Sequence, residues 1–281
     1  MKVILITGCS SGIGFDAAFA LKARGHRVIA SCRKESDVQK LAAMGMEVLS
    51  LDVSDSTSIQ TAFAQLMTMT GGKLDVLINN AGYGQAGALE DISRDSMRKQ
   101  FETNVFGLLE LSNLAIPVMR KQGEGRIINF SSILGLISMP MRGAYNSSKY
   151  AVEGISDTLR LELQPSNIKV ITIEPGPIES RFRDNCVDES LKNVAMGSSH
   201  FSKQYETMTT AYKQAKTDSM FTLGTSAVIK KLVHAIEAKN PKLKYPVTVP
   251  AYLLIFLKKV LPTRLMDAFL RSVSRKEMSA S

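Results

Sequence analysis

The chain has 281 residues, 44% of them hydrophobic and 22% charged, a balance that fits one sizeable core and excludes wholesale disorder. Its formal charge of +9 is unevenly placed: from Lys239 to Ser281, nine Lys/Arg stand against only Asp267 and Glu277. The basic balance therefore describes the tail, and without a zinc-finger, helix-turn-helix or RNP pattern it gives no ground for nucleic-acid binding.

The opening "MKVILITGCS" has an apolar run, Val3 to Ile6, far shorter than a signal peptide needs. The longest apolar run, Ala251 to Leu257, is too short to cross a bilayer, which takes ~20 residues. Cys9, Cys32 and Cys186 are odd in number and share no metal-ligand spacing. They read as reduced thiols, small buried or loop residues, in a cytoplasmic protein. No Pro/Gly/Ser-rich linker and no internal repeat divides the chain, so a single domain is expected over residues 1–281.

Strands and helices alternate in chain order. Residues 2–8 are a short β-branched run ending in glycine, 11–25 a helix closed by Gly25, and 27–33 a second strand. A short helix over 36–45, a strand over 46–53, a helix over 54–70 and a strand over 74–82 follow. A long helix spans about 94–121, with Pro117 a kink near its end. Then come a strand over 125–132, an amphipathic helix over 144–163 and a strand over 168–176. A final helix over 225–238 and a seventh strand over 244–249 close the alternation. Such a βα repeat with strands apolar on both faces gives an α/β fold, a doubly wound parallel sheet of about seven strands with helices on both sides. Ligands of such sheets bind beyond the carboxyl ends of the strands, where the glycines, asparagines and serines of this sequence collect.

"TGCSSGIG" (7–14) joins the first strand to the first helix, with glycines at 8, 12 and 14. Glycine lets the backbone approach a pyrophosphate, and a helix N-terminus offers it unpaired N–H groups. A turn that needs glycine for shape alone is the competing reading; its place after the first strand favours phosphate. At the end of the second strand, where an acid would hold the ribose hydroxyls of NAD, stand Cys32, Arg33 and Lys34. A guanidinium grips phosphate in a bidentate fork, and Ser11 can donate to the same group, so NADP(H) is the expected cofactor. Asp52 is placed to accept from the adenine amino group or, alternatively, to cap the next helix.

"TGCSSGIG", "NNAG" (79–82), Asn104 in "TNVFG", "SS" (131–132), "YNSSK" (145–149) and "PGPI" (175–178) stand in the order found in short-chain dehydrogenase/reductases, which the chain resembles closely over residues 2 to about 180. It looks most like the branch with hydroxysteroid and retinol dehydrogenases and bacterial NADP-dependent aldehyde reductases. The resemblance implies a Rossmann-type fold and a catalytic tetrad of Asn104, Ser132, Tyr145 and Lys149. Ser132 is preferred to Ser131 because it lies thirteen positions before Tyr145. The resemblance also implies cofactor contacts from Gly8, Ser10, Ser11, Gly12, Ile13, Gly14, Arg33, Lys34, Asp52 and Val53. Further contacts are implied from Asn80, Ala81, Gly82, Pro175, Gly176 and Ile178, and from Tyr145 and Lys149 themselves.

The tyrosine and lysine can be read on chemistry alone. Positions i and i+4 of a helix are stacked neighbours. Free tyrosine has pKa ~10, while proton exchange at neutral pH works best near 7, a gap of ~4 kcal/mol. Lys149 is expected to lower the phenol, helped by an oxidised nicotinamide ring and the helix N-terminus near residue 144. Tyr145 would then give a proton to a carbonyl oxygen that Ser132 hydrogen-bonds. Asn104, poorly suited to a helix interior, is expected to mark a local kink and hold a water that links Lys149 to solvent.

Residues 178–224 are too long for a bare connection and are expected to form a helical lid. Phe182, Leu191, Met196, Phe201, Tyr205, Met208, Tyr212, Met220 and Phe221, with Leu134, Met139 and Pro177, suggest an apolar pocket or plain lid packing. Arg142, Arg181 and Arg183 are candidates for a lone anion-binding group. The helical extension over about 250–276 reads first as a pocket closure or a subunit contact, and after those as a peripheral membrane contact. A homodimer through the helices 94–121 and 144–163 fits the resemblance. The leading expectation is an NADP(H)-dependent reductase/dehydrogenase of lipophilic aldehydes or ketones. The alternatives are a non-catalytic NADP(H)-binding sensor and a membrane-surface protein acting through its tail.

Overall fold

The structure, a computed structural model, describes residues 1–179, 182–214 and 222–279. Seven strands form one parallel sheet in the order β3-β2-β1-β4-β5-β6-β7: β1 Val3–Ile6, β2 Arg27–Cys32, β3 Glu47–Ser50, β4 Val76–Asn79, β5 Gly125–Phe130, β6 Ile168–Glu174 and β7 Lys244–Pro246. The order reverses between β1 and β4, which leaves a crevice above their carboxyl ends.

Side chains of β1 alternate between two cores. Ile4 and Ile6 join α1 (Gly12–Ala23) and α9 (Thr225–Glu237) on one face of the sheet. Val3 and Leu5 join α3 (Ser56–Thr70) and α5 (Gly107–Gln122) on the other. Burial on both faces is what made these strands read as unbroken apolar runs. α2 (Glu35–Ala43) follows β2, and α6 (Gly143–Glu162) precedes β6.

The expected long helix from 94 is present but not uniform. α4 (Arg94–Phe101) runs into a π-helical turn, Glu102–Phe106, and then into α5. The extra residue per turn marks Asn104, and Gly107 follows because a Cβ there would lie 1.8 Å from the Val53 carbonyl oxygen. Pro117 sits inside α5 without ending it.

Helices α7 (Phe182–Asn193) and α8 (Ser202–Gln214) form the expected lid. The tail forms α10 (Val249–Val260) and α11 (Thr263–Ser279). One face of each packs against the loop that follows β5, through Ala251, Met266 and Leu270 on Ile133, Ile137 and Met139. The tail thus covers the loop that carries Ser132.

Candidate active site

A chain of buried amides and hydroxyls fixes the strand ends beneath the crevice. Asn79 donates to Asn129 Oδ1 at 2.9 Å and to Ser112 Oγ at 3.1 Å, and Asn129 donates to Ser156 Oγ at 2.9 Å. Four elements, β4, β5, α5 and α6, are thereby held in register by groups that have no water to turn to.

The glycine loop rests on this base. Thr7 Oγ1 accepts from the N–H groups of Asn80 and Ala81 at 3.0 and 2.9 Å. Asn80 Nδ2 donates to the carbonyls of Thr7 and Gly8 at 2.8 and 3.1 Å. Gly8 has φ 73° and packs so closely that a Cβ would lie 2.8 Å from Ala81 Cα. A Cβ on Gly14 would lie 2.4 Å from the Gly8 carbonyl oxygen. Ser11 is the N-cap of α1 by backbone shape, yet its side chain caps nothing. Ser10 is exposed and Ile13 packs partly on the core. The loop is therefore a cradle shaped by glycine, with the N–H groups of α1 facing the crevice.

At the end of β2, Cys32 is buried while Arg33 and Lys34 are exposed. Arg33 makes no hydrogen bond or ion pair among the described residues; its charge reaches the Tyr83 phenol across the crevice. Their charge and exposure suit a phosphate group. Asp52 is partly committed: its Oδ1 accepts from Ser54 N and Ser54 Oγ at 2.9 and 2.7 Å. It is not the cap of α3, a role that Asp55 takes by accepting from Thr57 N. An Asx-type turn of Asp52 competes with the capping geometry read from the sequence. Val53 lies buried behind it, its carbonyl against Gly107.

The tetrad residues converge. Lys149 Nζ lies 5.7 Å from the centroid of the Tyr145 ring, and Ser132, close enough to lower the Tyr145 phenol, donates to the Pro175 carbonyl at 3.4 Å. Ser132 Oγ also accepts from Leu134 N at 3.1 Å. Ser131, the alternative, is a buried hydroxyl without a partner among the described residues. Asn104 accepts from Tyr83 N at 3.1 Å and donates to the Tyr83 carbonyl and to Ser148 Oγ at 3.0 and 3.1 Å. Ser148 Oγ in turn donates to the Tyr145 carbonyl at 2.8 Å. The small polar residues between tyrosine and lysine are thus structural ties: Asn146 donates to the Met139 carbonyl and Ser147 to that of Gly143.

Burial dominates the electrostatics of both Tyr145 and Lys149. Lys149 Nζ stands 5.7 Å from the Tyr145 ring centroid, yet burial outweighs every nearby charge on the phenol. Burial pushes the phenol well above its ordinary range, with Cys186 adding to the rise; the Ser132 hydroxyl and the Arg142 charge pull it down. Lys149 itself is pushed down to about 8, chiefly by burial, and the Glu153 charge one turn along opposes that. The ammonium donates to the Phe130 carbonyl at 2.6 Å. Two desolvated groups each favour their neutral form, so Tyr145 holds its proton here.

The "PGPI" turn ties the site to both coverings. The Pro175 carbonyl accepts from Ile133 N at 3.0 Å, and a Cβ on Gly176 would lie 2.1 Å from Thr248 Oγ1, the cap of α10. Ile178 is buried and bridges to Leu223. In the lid, Phe182 stacks at a tilt 5.4 Å from Tyr145. A Cβ on Gly84 would meet Cys186 Sγ at 2.8 Å. Cys186, read from the sequence as a bland thiol, therefore sits against Gly84 and close enough to raise the Tyr145 phenol; only its place within the lid segment hinted at that.

The apolar set divides. Tyr205 and Met208 pack with Ala86 and Val194, joined by Met196 and Phe201, so they anchor the lid. The Tyr205 hydroxyl accepts from Ala88 N and donates to Asp91, both at 2.8 Å. Leu191 is exposed. Leu134 and Met139 join the tail. Arg181, Met220 and Phe221 lie outside the described residues, as do the side chains of Arg183 and Tyr212. Thr7, Tyr83 and Ser148 were missed, because their work is done by hydrogen bonds to residues distant in sequence.

Comparison with known proteins agrees with this geometry. A short chain dehydrogenase family model matches residues 2–190. The chain is 43% identical over 274 residues to the uncharacterized oxidoreductase YbbO of Escherichia coli, covering 96% of this chain and 94% of that protein. It is 32% identical over 292 residues to 17-beta-hydroxysteroid dehydrogenase type 6 of Rattus norvegicus, covering 99% and 90%. A short-chain dehydrogenase/reductase from Burkholderia phymatum, solved in complex with NAD, superposes with a TM-score of 0.77 at 26% identity and 92% coverage of both chains.

Proposed function

This chain belongs to the short-chain dehydrogenase family, and from that premise we propose that it is an NADP(H)-dependent oxidoreductase that interconverts a lipophilic aldehyde or ketone and its alcohol. The observation that carries the chemistry is the grouping of Ser132 and Lys149 about the Tyr145 ring, packed under a lid aromatic. When bound, the dinucleotide supplies or accepts the hydride. Tyr145, protonated by virtue of its burial, donates its proton to the carbonyl oxygen. Ser132 donates a hydrogen bond to the same oxygen and stabilises its developing charge. Arg142, half-buried at the start of α6, favours the phenolate that remains. Lys149, held near neutrality, is suited to return a proton to it.

Arg33 and Ser11, neither committed to another group, support the choice of NADP(H). The apolar ring of Phe182 over Tyr145 supports a lipophilic substrate. The test is loss of NADPH absorbance over medium- and long-chain aldehydes, retinal and steroid ketones. Tyr145→Phe should cut turnover about 10²–10⁴-fold. Residual activity near wild type would remove the tyrosine from the mechanism. Arg33→Ala should lower the preference for NADPH over NADH about 10–100-fold, as loss of a charged hydrogen bond does. An unchanged preference, or better use of NADH by the wild type, would overturn the role of Arg33.

A further inference from the structure

Large apolar side chains exposed on this protein are mostly scattered singly, but six of them fall between Val249 and Leu265. Five belong to α10: Val249, Tyr252, Leu253, Phe256 and Val260, each 50–70% exposed. Their spacing of three, one, three and four places them on one strip of the helix. The opposite strip, Ala251, Leu254, Ile255 and Leu257, is the one that packs on the loop after Ser132. α10 is therefore apolar all round, with only its inner face covered.

The outer face has a basic border. Lys258 anchors the helix by donating to the Leu136 carbonyl and to the Tyr150 hydroxyl. Lys259 and Arg264 are exposed and unpaired among the described residues, at the end of the strip. Arg264, Arg271 and Arg275 fall seven and four apart on the exposed side of α11, where Asp267 is the exposed acid among the described side chains. No described helix is long and apolar enough to cross a membrane.

We propose that α10 lies flat on an anionic lipid surface, seating Val249, Tyr252, Leu253, Phe256 and Val260 among the acyl chains while Lys259 and Arg264 meet the headgroups. Apolar side chains on a short helix with bordering cations are what an in-plane interfacial helix requires. Charge decides against a second copy of the chain. A two-fold contact sets the same patch against itself, so the lysine and arginines of one copy would face those of the other. Anionic headgroups instead contribute ~1 kcal/mol per basic residue near the surface. The proposal does not depend on which carbonyl is reduced, since its readout is binding. It does place the lipid on the far side of a helix that walls the Ser132 loop.

The test uses the full chain with NADPH present, sedimented with phosphatidylcholine vesicles that hold either no anionic lipid or about 30% phosphatidylserine, enough to create a negative surface potential. Wild type should pellet with the anionic vesicles at least about fivefold more than with the neutral ones, and added salt should release it. The pair Leu253→Ser and Phe256→Ser, and separately the pair Lys259→Glu and Arg264→Glu, should each lose most of this binding. All four positions are exposed, so melting by circular dichroism should be unchanged. Equal pelleting with neutral vesicles, or none with either, would overturn the proposal. So would a wild-type dimer in light scattering that Phe256→Ser splits, since the strip would then belong to a second copy.

Discussion

Around the glycine loop and the tetrad, position is set by directed hydrogen bonds between buried groups: Asn80 to Thr7 and Gly8, Asn104 to Tyr83 and Ser148, Asn79 to Asn129. On the opposite wall, α7 and α10 hold their places mainly through side-chain packing, with Phe182 against Tyr145 and Ala251 against the Ser132 loop. The first kind of wall tolerates little, because each lost partner leaves a buried polar atom unpaired. The second can change shape by exchanging one apolar group for another at small cost. Chemistry is thus fixed on the sheet side and substrate choice is adjustable on the lid side.

Substitutions can break or sharpen this contrast. The largest effect is expected at Lys149. Lys149→Met should lower turnover about 10²–10⁴-fold, as loss of a proton-transfer group does. Its pKa of about 8 lies below the ordinary 10.5, so burying the ammonium costs stability at neutral pH. That cost is relieved as pH rises from 8 to 10.5. Melting temperature in the wild type should therefore gain support over that window, and the Met variant should lack the gain. An identical pH profile of melting in both would show that the lysine is not held near neutrality.

Gly14→Ala comes next. Its Cβ would lie 2.5 Å from Asn80 Nδ2 as well as against Gly8, so the loop must open. Titration calorimetry should show NADPH binding at least about tenfold weaker, the cost of one lost charged hydrogen bond or more. Unaltered affinity would mean the cradle is loose after all. Asn104→Ala leaves the Tyr83 backbone and Ser148 without their amide partner, and chemical denaturation should register a loss of about 1–3 kcal/mol.

Glu174 gives a smaller effect of opposite sign. Burial first and the Glu153 charge second push it up to about 7, against the hydrogen bond from Thr172. Its ionised form is thus a burden above pH 7, relieved as pH falls towards 4.5. Glu174→Gln should stabilise the protein at pH 8 by on the order of 1 kcal/mol and flatten the decline between pH 4.5 and 7. Denaturation midpoints against pH would decide it. On the lid side, Phe182→Leu should move KM several-fold while kcat stays within about threefold, because the volume change is small and no polar atom is stranded. A collapse of kcat in that variant would erase the distinction between the two walls.

Much of this was legible along the chain. Strands buried on both faces announce themselves as short β-branched runs, and the glycines, Asn104, Ser132, Tyr145 and Lys149 stand at strand ends or on helix turns that local pattern locates within a few residues. Asn104 was expected to mark a local kink, and the π-helical turn 102–106 is where it sits. The fate of Asp52 was not legible, since an Asx turn and a helix cap use the same residue type in the same place. Nor was the role of Asn146 and Ser148, whose distant partners are Met139 in the loop before α6 and Asn104 in the π-helical turn.

What the sequence alone determined was the alternation of elements and the crevice to which it delivers its polar groups, because both follow from periodicity and from residues a few positions apart. The tertiary structure decided which way charge and burial balance. It tied Lys149 to the Phe130 carbonyl while holding it over the Tyr145 ring, brought Cys186 close enough to raise the Tyr145 phenol, and covered one face of α10 while leaving the other bare. Desolvation and packing depend on what lies on every side of a group, and neighbours distant in the chain exist only once it has folded.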